Sequence, residues 1–212
     1  MNISQKTFIG WSLAILPILM SVLWFYVYAG IGGDNDNPTV LANIADVGLL
    51  SKILASIAAL SFAGIVVSYV MFSRGLAADS DNPFLGNLTA LLLLISGAVN
   101  LVGANAFTAS VSMHDSNAGE ALTLFILGSA EFGANDLLFG VALITLGKAV
   151  RDVKNKLGPA ILLNIVSFGA LIVGIVNVVN VFATNDALGM VSWLGWVLVS
   201  VLIGIGVIRS KS

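Results

Sequence analysis

The chain has no cysteine, a single histidine and few charged side chains. Charged residues make up 9% of its 212 residues, apolar residues make up 58%, and the mean hydropathy is +1.02. The absence of cysteine excludes disulfides, thiolate catalysis and cysteine-ligated metals. A soluble domain carries about 25% charged residues, and this chain has too few to cover a surface that faces water. The sequence therefore predicts an integral membrane protein.

The apolar segments are long and do not alternate with polar residues. A bilayer core of about 30 Å requires about 20 helical residues per span, whereas the strands of a membrane barrel alternate with a period of two. We therefore predict an all-α, polytopic transmembrane helical bundle that forms one domain over 1–212. Its first span lacks a small-residue cleavage site, so we expect it to be retained. The six spans are predicted near 7–31, 50–73, 84–108, 121–147, 159–182 and 188–208.

The basic residues are distributed unevenly along the chain. With six spans, eight of the nine Lys and Arg residues fall on one side of the membrane and only Lys52 falls on the other. Because cytoplasmic loops carry the excess of positive charge, we predict that both termini are cytoplasmic. Trp193 and Trp196 lie near the opposite end of the last span, where interfacial aromatic residues are favoured. The eight basic residues are Lys6, Arg74, Lys148, Arg151, Lys154, Lys156, Arg209 and Lys211.

A short amphipathic segment, 38–49, lies between the first two spans. Joined to the second span, it would give a helix of about 37 residues, far longer than one span needs. We therefore predict a short interfacial helix that bends near Gly48 into the second span. Its apolar face comprises Val40, Leu41, Ile44 and Val47.

The motif Asp-x-Asp-Asn-Pro occurs at 34–38 and at 79–83, each time just before a predicted helix. Asn and Asp side chains accept hydrogen bonds from free N–H groups at a helix start, and proline suits the first helical position. A calcium loop would also need the glycine and the bidentate glutamate of an EF-hand, which are absent. The motif therefore predicts helix caps.

Two segments of nine residues resemble each other, and several glycines recur inside the spans. L-L-I-S-G-A-V-N-L at 93–101 and A-L-I-V-G-I-V-N-V at 170–178 share five of nine residues. They indicate either parallel hairpin repeats, as in some transporters, or independent use of the same packing pattern. Small residues predict close contacts between helices. In the third span, Gly103 lies on the same predicted face as Ser96, Asn100 and Phe107. The glycines are Gly103, Gly128, Gly133, Gly140, Gly204 and Gly206.

Polar side chains interrupt three of the apolar spans. An acid at the centre of a membrane helix costs roughly 3 kcal/mol, so intramembrane carboxylates indicate function by default. Counting residues from the inner helix ends places Glu131 about 25 Å up, level with Asn100 and Asn177. These three side chains are predicted to form a polar layer with Asn180 above it, unless Glu131 is simply hydrated near the headgroups.

Asp136 and its neighbour Asn135 complete the set of candidates. Asp136 lies deeper, about 18 Å up, and no Lys or Arg inside a span can pair with it. It must be protonated, hydrogen-bonded to an amide or hydroxyl, or in contact with a watery cavity. Glu131 and Asp136 are five residues apart, about 140° around the helix, so we do not expect them to work as a pair.

The sequence lacks the motifs of most membrane enzymes. Its single histidine, His114, falls in a predicted outer loop and is expected to be exposed, so bis-histidine haem and an H-E-x-x-H zinc site are excluded. No span carries a central lysine for a retinal Schiff base, and there is no G-x-S-x-G, P-loop or dinucleotide motif. We predict no enzymatic activity, catalytic residue, metal, cofactor or nucleic-acid partner.

One part of the chain resembles a known family. The segments 138–152 and 157–174, in which Phe139, Gly140 and Gly147 belong to an F-G-x-x-L-x-x-L-G pattern, resemble a family of small prokaryotic six-span membrane proteins of unknown function. A-N-I-A-D-V-G-L-L at 42–50 is similar to the first outer loop of that family. The resemblance implies six spans in a prokaryotic cytoplasmic membrane and carries over no activity or site residue.

Two functions remain open. The first is a non-enzymatic accessory or assembly subunit, or a bundle that binds lipids or a partner, in which the polar residues join helices. The second is a small-solute, proton or cation transporter or channel with Asp136 and Glu131 in its path. Membrane lipids, and a homo-oligomer or larger membrane complex, are the expected partners.

Overall fold

The computed structural model describes residues 3–33, 36–153, 160–183 and 185–210, except for the side chains of 129–132, 160 and 186. These ranges are helical apart from short turns and contain no strand, which confirms the predicted all-α class. The helices are α1 (Ile3–Phe25), which continues as a π-helix (Tyr26–Gly32), α2 (Asn37–Asp46), α3 (Leu49–Ala78), α4 (Phe84–Met113), α5 (Ala118–Asp152), α6 (Ala160–Ala183) and α7 (Asp186–Arg209).

Six helices in the described ranges are long and apolar enough to cross a membrane, as predicted. Several extend beyond the predicted spans: α3 continues to Ala78 rather than 73, and α5 covers Ala118–Asp152 rather than 121–147. A helix ends where turn or capping residues end it, and not where the apolar run stops. Beyond the predicted spans, α5 carries Glu120 at one end and Lys148, Arg151 and Asp152 at the other, whereas the extension of α3 adds one charged residue, Arg74.

The amphipathic segment forms a separate helix, as predicted. The α2 helix ends at Asp46, and Gly48 has a φ of 63°, a left-handed conformation that suits glycine, before α3 begins at Leu49. Val40, Leu41 and Ile44 are buried. Val47, predicted on the same face, is 39% exposed, because the helix ends one residue before it.

Both copies of the Asp-x-Asp-Asn-Pro motif cap helices, as predicted. A carboxylate oxygen of Asp36 accepts a hydrogen bond from the Thr39 N–H at 3.1 Å and caps α2. In the second copy, the amide oxygen of Asn82 accepts from the Phe84 N–H at 3.3 Å at the start of α4. Asp34, the first residue of the first copy, lies outside the described residues, as does 154–159, which carries part of the predicted basic loop.

The residues form two compact units. The larger unit contains Met1–Pro17, Gly64–Ser96 and Asp136–Ser212, and the smaller unit contains Ile18–Ala63 and Gly97–Asn135. Four helices, α1, α3, α4 and α5, contribute residues to both units.

The larger unit is packed through glycines. A Cβ atom placed on Gly204 would lie 2.6 Å from the carbonyl oxygen of Gly10, and a Cβ atom on Gly86 would lie 2.7 Å from that of Ser73. Real Cβ atoms do not approach so closely, so the helix backbones are in contact at these points. The predicted packing role of Gly204 is confirmed.

One aromatic residue of the larger unit is more buried than its predicted interfacial position requires. Trp196 is only 5% exposed, and its depth in the membrane stays a prediction. Its ring lies edge-on to Phe139 of α5, with 5.7 Å between centroids, and the more exposed Trp193 packs against it at the same distance. Trp196 is a core residue because its face of α7 contacts α5.

The smaller unit is packed through aromatic rings and α2. The ring of Phe107 lies 5.4 Å from Trp24, 5.7 Å from Tyr28 and 6.0 Å from Phe125, measured between centroids. The buried face of α2 packs into the same cluster. In this unit side chains, more than backbones, fill the space between elements.

Two predictions in the smaller unit are corrected. A Cβ atom on Gly133 would meet no described atom within 4 Å, so Gly133 is not a helix contact, whereas one on Gly128 would lie 3.1 Å from the Gly103 carbonyl oxygen. His114 lies in the turn after α4, as expected, but is partly buried. The N–H groups of Ser116 and Asn117 both bond to the Met113 carbonyl, which closes the turn.

Candidate functional site between α5, α6 and α7

The candidate site lies within the larger unit, where α5 and α6 approach closely. A Cβ atom on Gly174 would lie 2.5 Å from the Gly140 carbonyl oxygen, and one on Gly140 would lie 2.9 Å from that of Gly174. Further along, the Ser167 hydroxyl donates to the Gly147 carbonyl at 2.7 Å. Because the residue numbers rise on α5 as they fall on α6, the two helices are antiparallel along this contact.

Asp136 lies one turn before Gly140 and therefore on the same face of α5. The antiparallel register places it level with Asn180 of α6, two residues beyond Gly140's neighbour Val178. Asp136 is partly exposed, and no hydrogen bond joins its carboxylate to another residue in the described ranges. The environment of Asp136 therefore stays a prediction.

Asn177 connects all three helices. It is 4% exposed, and its Cβ atom lies 2.9 Å from the position of a Cβ atom on Gly140 of α5. Its amide oxygen accepts a hydrogen bond from the hydroxyl of Ser192, a residue of α7 that is also 4% exposed. Both polar groups are thus paired inside an apolar contact, which is where an unpaired group would cost most.

Asn180 lies at the turn between α6 and α7. Its amide oxygen accepts from the Asn185 N–H at 3.3 Å, and its amide nitrogen would lie 3.6 Å from a Cβ atom on Gly189. Asn185 in turn caps α7, because its side-chain oxygen accepts from the Ala187 N–H at 2.9 Å. The side chain of Asn180 therefore holds the end of α6 against the start of α7.

Two predicted candidates are not part of this site. Asn100 and Asn135 belong to the smaller unit, where Asn135 is 6% exposed and Asn100 is partly exposed. The side chain of Glu131 lies outside the described residues. The polar layer predicted for Glu131, Asn100 and Asn177 therefore stays a prediction.

Ser192 was not predicted as a site residue. Its signal was present in α7, where Ser192, Trp196 and Ser200 follow one another at intervals of four and so share one face. All three are buried, and the Ser200 hydroxyl lies 2.7 Å from that of Tyr69 of α3. Serines that recur on one face of a membrane helix indicate hydrogen bonds to a neighbouring helix.

A second hydroxyl pair lies elsewhere in the larger unit. The Thr89 hydroxyl of α4 donates to that of Thr145 of α5 at 2.8 Å, and both residues are buried. Such interhelical bonds contribute on average about 0.6 kcal/mol each in a membrane protein. Their effect is to fix the rotation of each helix more than to add large stability.

The site can hold a proton or a cation weakly and can bind a polar group. Its oxygen donors are one carboxylate, two amides and one hydroxyl. No group of three His, Cys, Asp or Glu residues that could hold a metal ion occurs in the described part of the chain. Hard oxygen donors would favour a proton or an alkali cation over a transition metal.

No family model, curated protein or solved structure matches the chain. The resemblance of 138–152 and 157–174 to small prokaryotic six-span proteins therefore stays a prediction.

Proposed function

We propose that this chain is a non-enzymatic multi-pass membrane protein that acts by binding a partner or lipids, as an accessory or assembly subunit. The supporting observation is the backbone contact between helices of the larger unit, at Gly10 with Gly204 and at Gly140 with Gly174. Helices packed in this way lose many contacts when they separate, because nothing flexible can fill the space. A rigid scaffold of this kind suits a binding role.

The buried polar groups of the larger unit support the same proposal. The Tyr69 hydroxyl is paired with Ser200, and the Asn177 amide is paired with Ser192. A translocation path would present such groups to a solute or to water. Here they bond to each other across helix contacts, so their capacity is used in holding the bundle together.

Transport is the second candidate, and one observation favours it. The carboxylate of Asp136 makes no hydrogen bond within the described ranges and is partly exposed, although it lies near the middle of a helix long and apolar enough to span a membrane. Intramembrane acids of transporters and pumps carry protons or cations in this way. Asp136 is therefore the residue on which the two candidates differ.

Liposomes that carry an imposed proton or alkali-cation gradient distinguish the candidates. If the chain is a binding subunit, vesicles with wild-type protein should hold the gradient as long as empty vesicles, and Asp136→Asn should change nothing. The chain extracted in mild detergent from its native membrane should also elute with a second component in fixed ratio, well above its own 22.0 kDa.

The opposite result would establish transport. Flux through wild-type protein that Asp136→Asn lowers at least tenfold, while Asp152→Asn leaves it intact, would overturn the binding proposal. Asp152 is a matched control because it is an exposed acid at the end of the same helix, and its replacement removes the same charge.

A further inference from the structure

The first and last helices cross at two glycines near the chain termini. A Cβ atom on Gly10 of α1 would lie 3.2 Å from the Gly204 carbonyl oxygen of α7, and one on Gly204 would lie 2.7 Å from the Ala14 nitrogen. Both glycines belong to the larger unit. The start of α1 and the end of α7 therefore lie side by side at one end of this unit.

The two helix ends leave a cleft beyond this crossing. It has a volume of about 130 Å³, far more than the roughly 10–15 Å³ that one water requires. Its lining includes Ile3, Lys6 and Trp11 from α1, together with Val207, Ile208 and Ser210 from the end of α7. The cleft thus combines one cation and the hydroxyls of Thr7 and Ser210 with apolar side chains.

Lys6 is the charged group of the cleft. Its ammonium carries three N–H donors, and Arg209, which is exposed, adds a second positive charge at the same helix end. The hydroxyls cannot add donors, because Thr7 donates to the Ile3 carbonyl and Ser210 donates to the Val207 carbonyl. Lys6 and Arg209 place positive charge at this end of the unit, so the charge that matches the cleft is negative.

The apolar part of the cleft selects for a lipid. Ile3 is 73% exposed, Trp11 is 55% exposed and Ile208 is 41% exposed, so the cleft opens onto apolar surface. Ile15, one turn beyond Trp11, is 50% exposed and extends this surface along α1. A hydrated inorganic anion would lose water against these side chains, whereas a phospholipid places its own acyl chain on them.

We propose that this cleft binds the headgroup phosphate of an anionic phospholipid from the leaflet that faces the chain termini. Lys6 contacts the phosphate, and the ring of Trp11 lies at the level of the glycerol backbone, where interfacial tryptophan is favoured. One acyl chain follows the exposed surface of Trp11 and Ile15. The site deepens the proposed function and rests on it in one respect, namely that the chain acts by binding.

Native mass spectrometry of the full chain tests the site. In detergent, with equal added amounts of phosphatidylglycerol and phosphatidylcholine, wild-type protein should retain about fivefold more of the anionic lipid, the effect expected of one basic residue near an anionic headgroup. The Lys6→Gln variant should retain phosphatidylglycerol and phosphatidylcholine in about equal amounts. Lys148→Gln, which removes an exposed lysine from α5 on the same predicted side, should leave the preference unchanged.

Three results would overturn the proposal. They are an unchanged preference in Lys6→Gln, an equal loss in Lys148→Gln, and displacement of the lipid by inorganic phosphate at constant ionic strength, which would mark a site for free anions. Elution of each variant as a single peak shows that it is folded. A chain that lacks the lipid preference but still elutes with a second component leaves the proposed function standing and removes only this site.

Discussion

The two units of this protein fill the space between their helices in opposite ways. In the larger unit glycines bring backbones into contact, as at Gly140 and Gly174, while in the smaller unit the ring of Phe107 packs against three other aromatic rings. Lipid tails are as apolar as leucine, so neither unit gains much from hiding apolar surface, and close packing must hold each together. The larger unit should therefore be sensitive to added volume and the smaller unit to lost volume.

The largest expected effect comes from adding volume to the larger unit. Gly174→Leu places a side chain where even a Cβ atom would be 2.5 Å from a backbone oxygen, so α5 and α6 cannot keep their contact. We expect the variant to lose its single elution peak in detergent. The milder Gly174→Ala should lower the free energy of unfolding by about 1–3 kcal/mol, the usual cost of overpacking.

Gly133→Leu is the control for this prediction. It makes the same change in an apolar helix at a position where a Cβ atom would meet no described atom within 4 Å. The variant should elute and melt like the wild type. If Gly174→Leu and Gly133→Leu destabilised the protein equally, the backbone contact at Gly174 would not be the cause of the destabilisation.

An effect smaller than that of Gly174→Leu is expected from removing volume in the smaller unit. Phe107, 3% exposed, contacts Trp24, Tyr28 and Phe125, so Phe107→Ala removes three ring contacts of about 0.5–1.5 kcal/mol each and leaves a cavity. We expect a loss of about 2–4 kcal/mol, measured by thermal unfolding in detergent. Phe84→Ala is the control at the start of the same helix, where the ring is 64% exposed, and its stability should be nearly unchanged.

The smallest effect concerns the cap of α2. Hydrogen bonds from Thr39 hold the pKa of the Asp36 carboxyl below its usual value. Because the pKa is lowered on folding, the cap's contribution is complete above the unfolded value of about 3.9 and is lost as the pH falls through the lower folded value. Acidification from pH 6 to pH 3 should therefore lower the melting temperature more in wild type than in Asp36→Asn, which caps without titrating. If the melting temperatures of the two proteins fell equally with pH, the ionised Asp36 cap would not contribute to stability.

The sequence was sufficient for the features that local chemistry determines. Apolar runs of spanning length gave the six helices, and the left-handed turn at Gly48 and the cap at Asp36 follow from the residues at those positions. Features that depend on which helices are neighbours were not predictable. The burial of Trp196 requires knowing that α7 packs on Phe139 of α5, and the role of Ser192 requires knowing that Asn177 lies opposite it.

The candidate site was predicted in part for the same reason. Asp136, Asn177 and Asn180 were recognised because an acid or amide in an apolar span has a high cost wherever the span packs. Their grouping on α5 and α6 depends on the register that the glycine contacts impose. A residue count along each helix measures depth but not rotation, so it cannot tell which polar residues share a face.

The π-helical end of α1, Tyr26–Gly32, gives the first span an adjustable length. A π-turn bonds each residue to the fifth one along and so holds more residues per turn than an α-helix. Gly32, whose Cβ atom would lie 2.8 Å from Val40 and whose carbonyl accepts from Asn43 at 2.9 Å, fixes the far end of this segment. If one residue between Tyr26 and Gly32 were deleted, the segment would rewind from π-helix to α-helix, and α2 would keep its position.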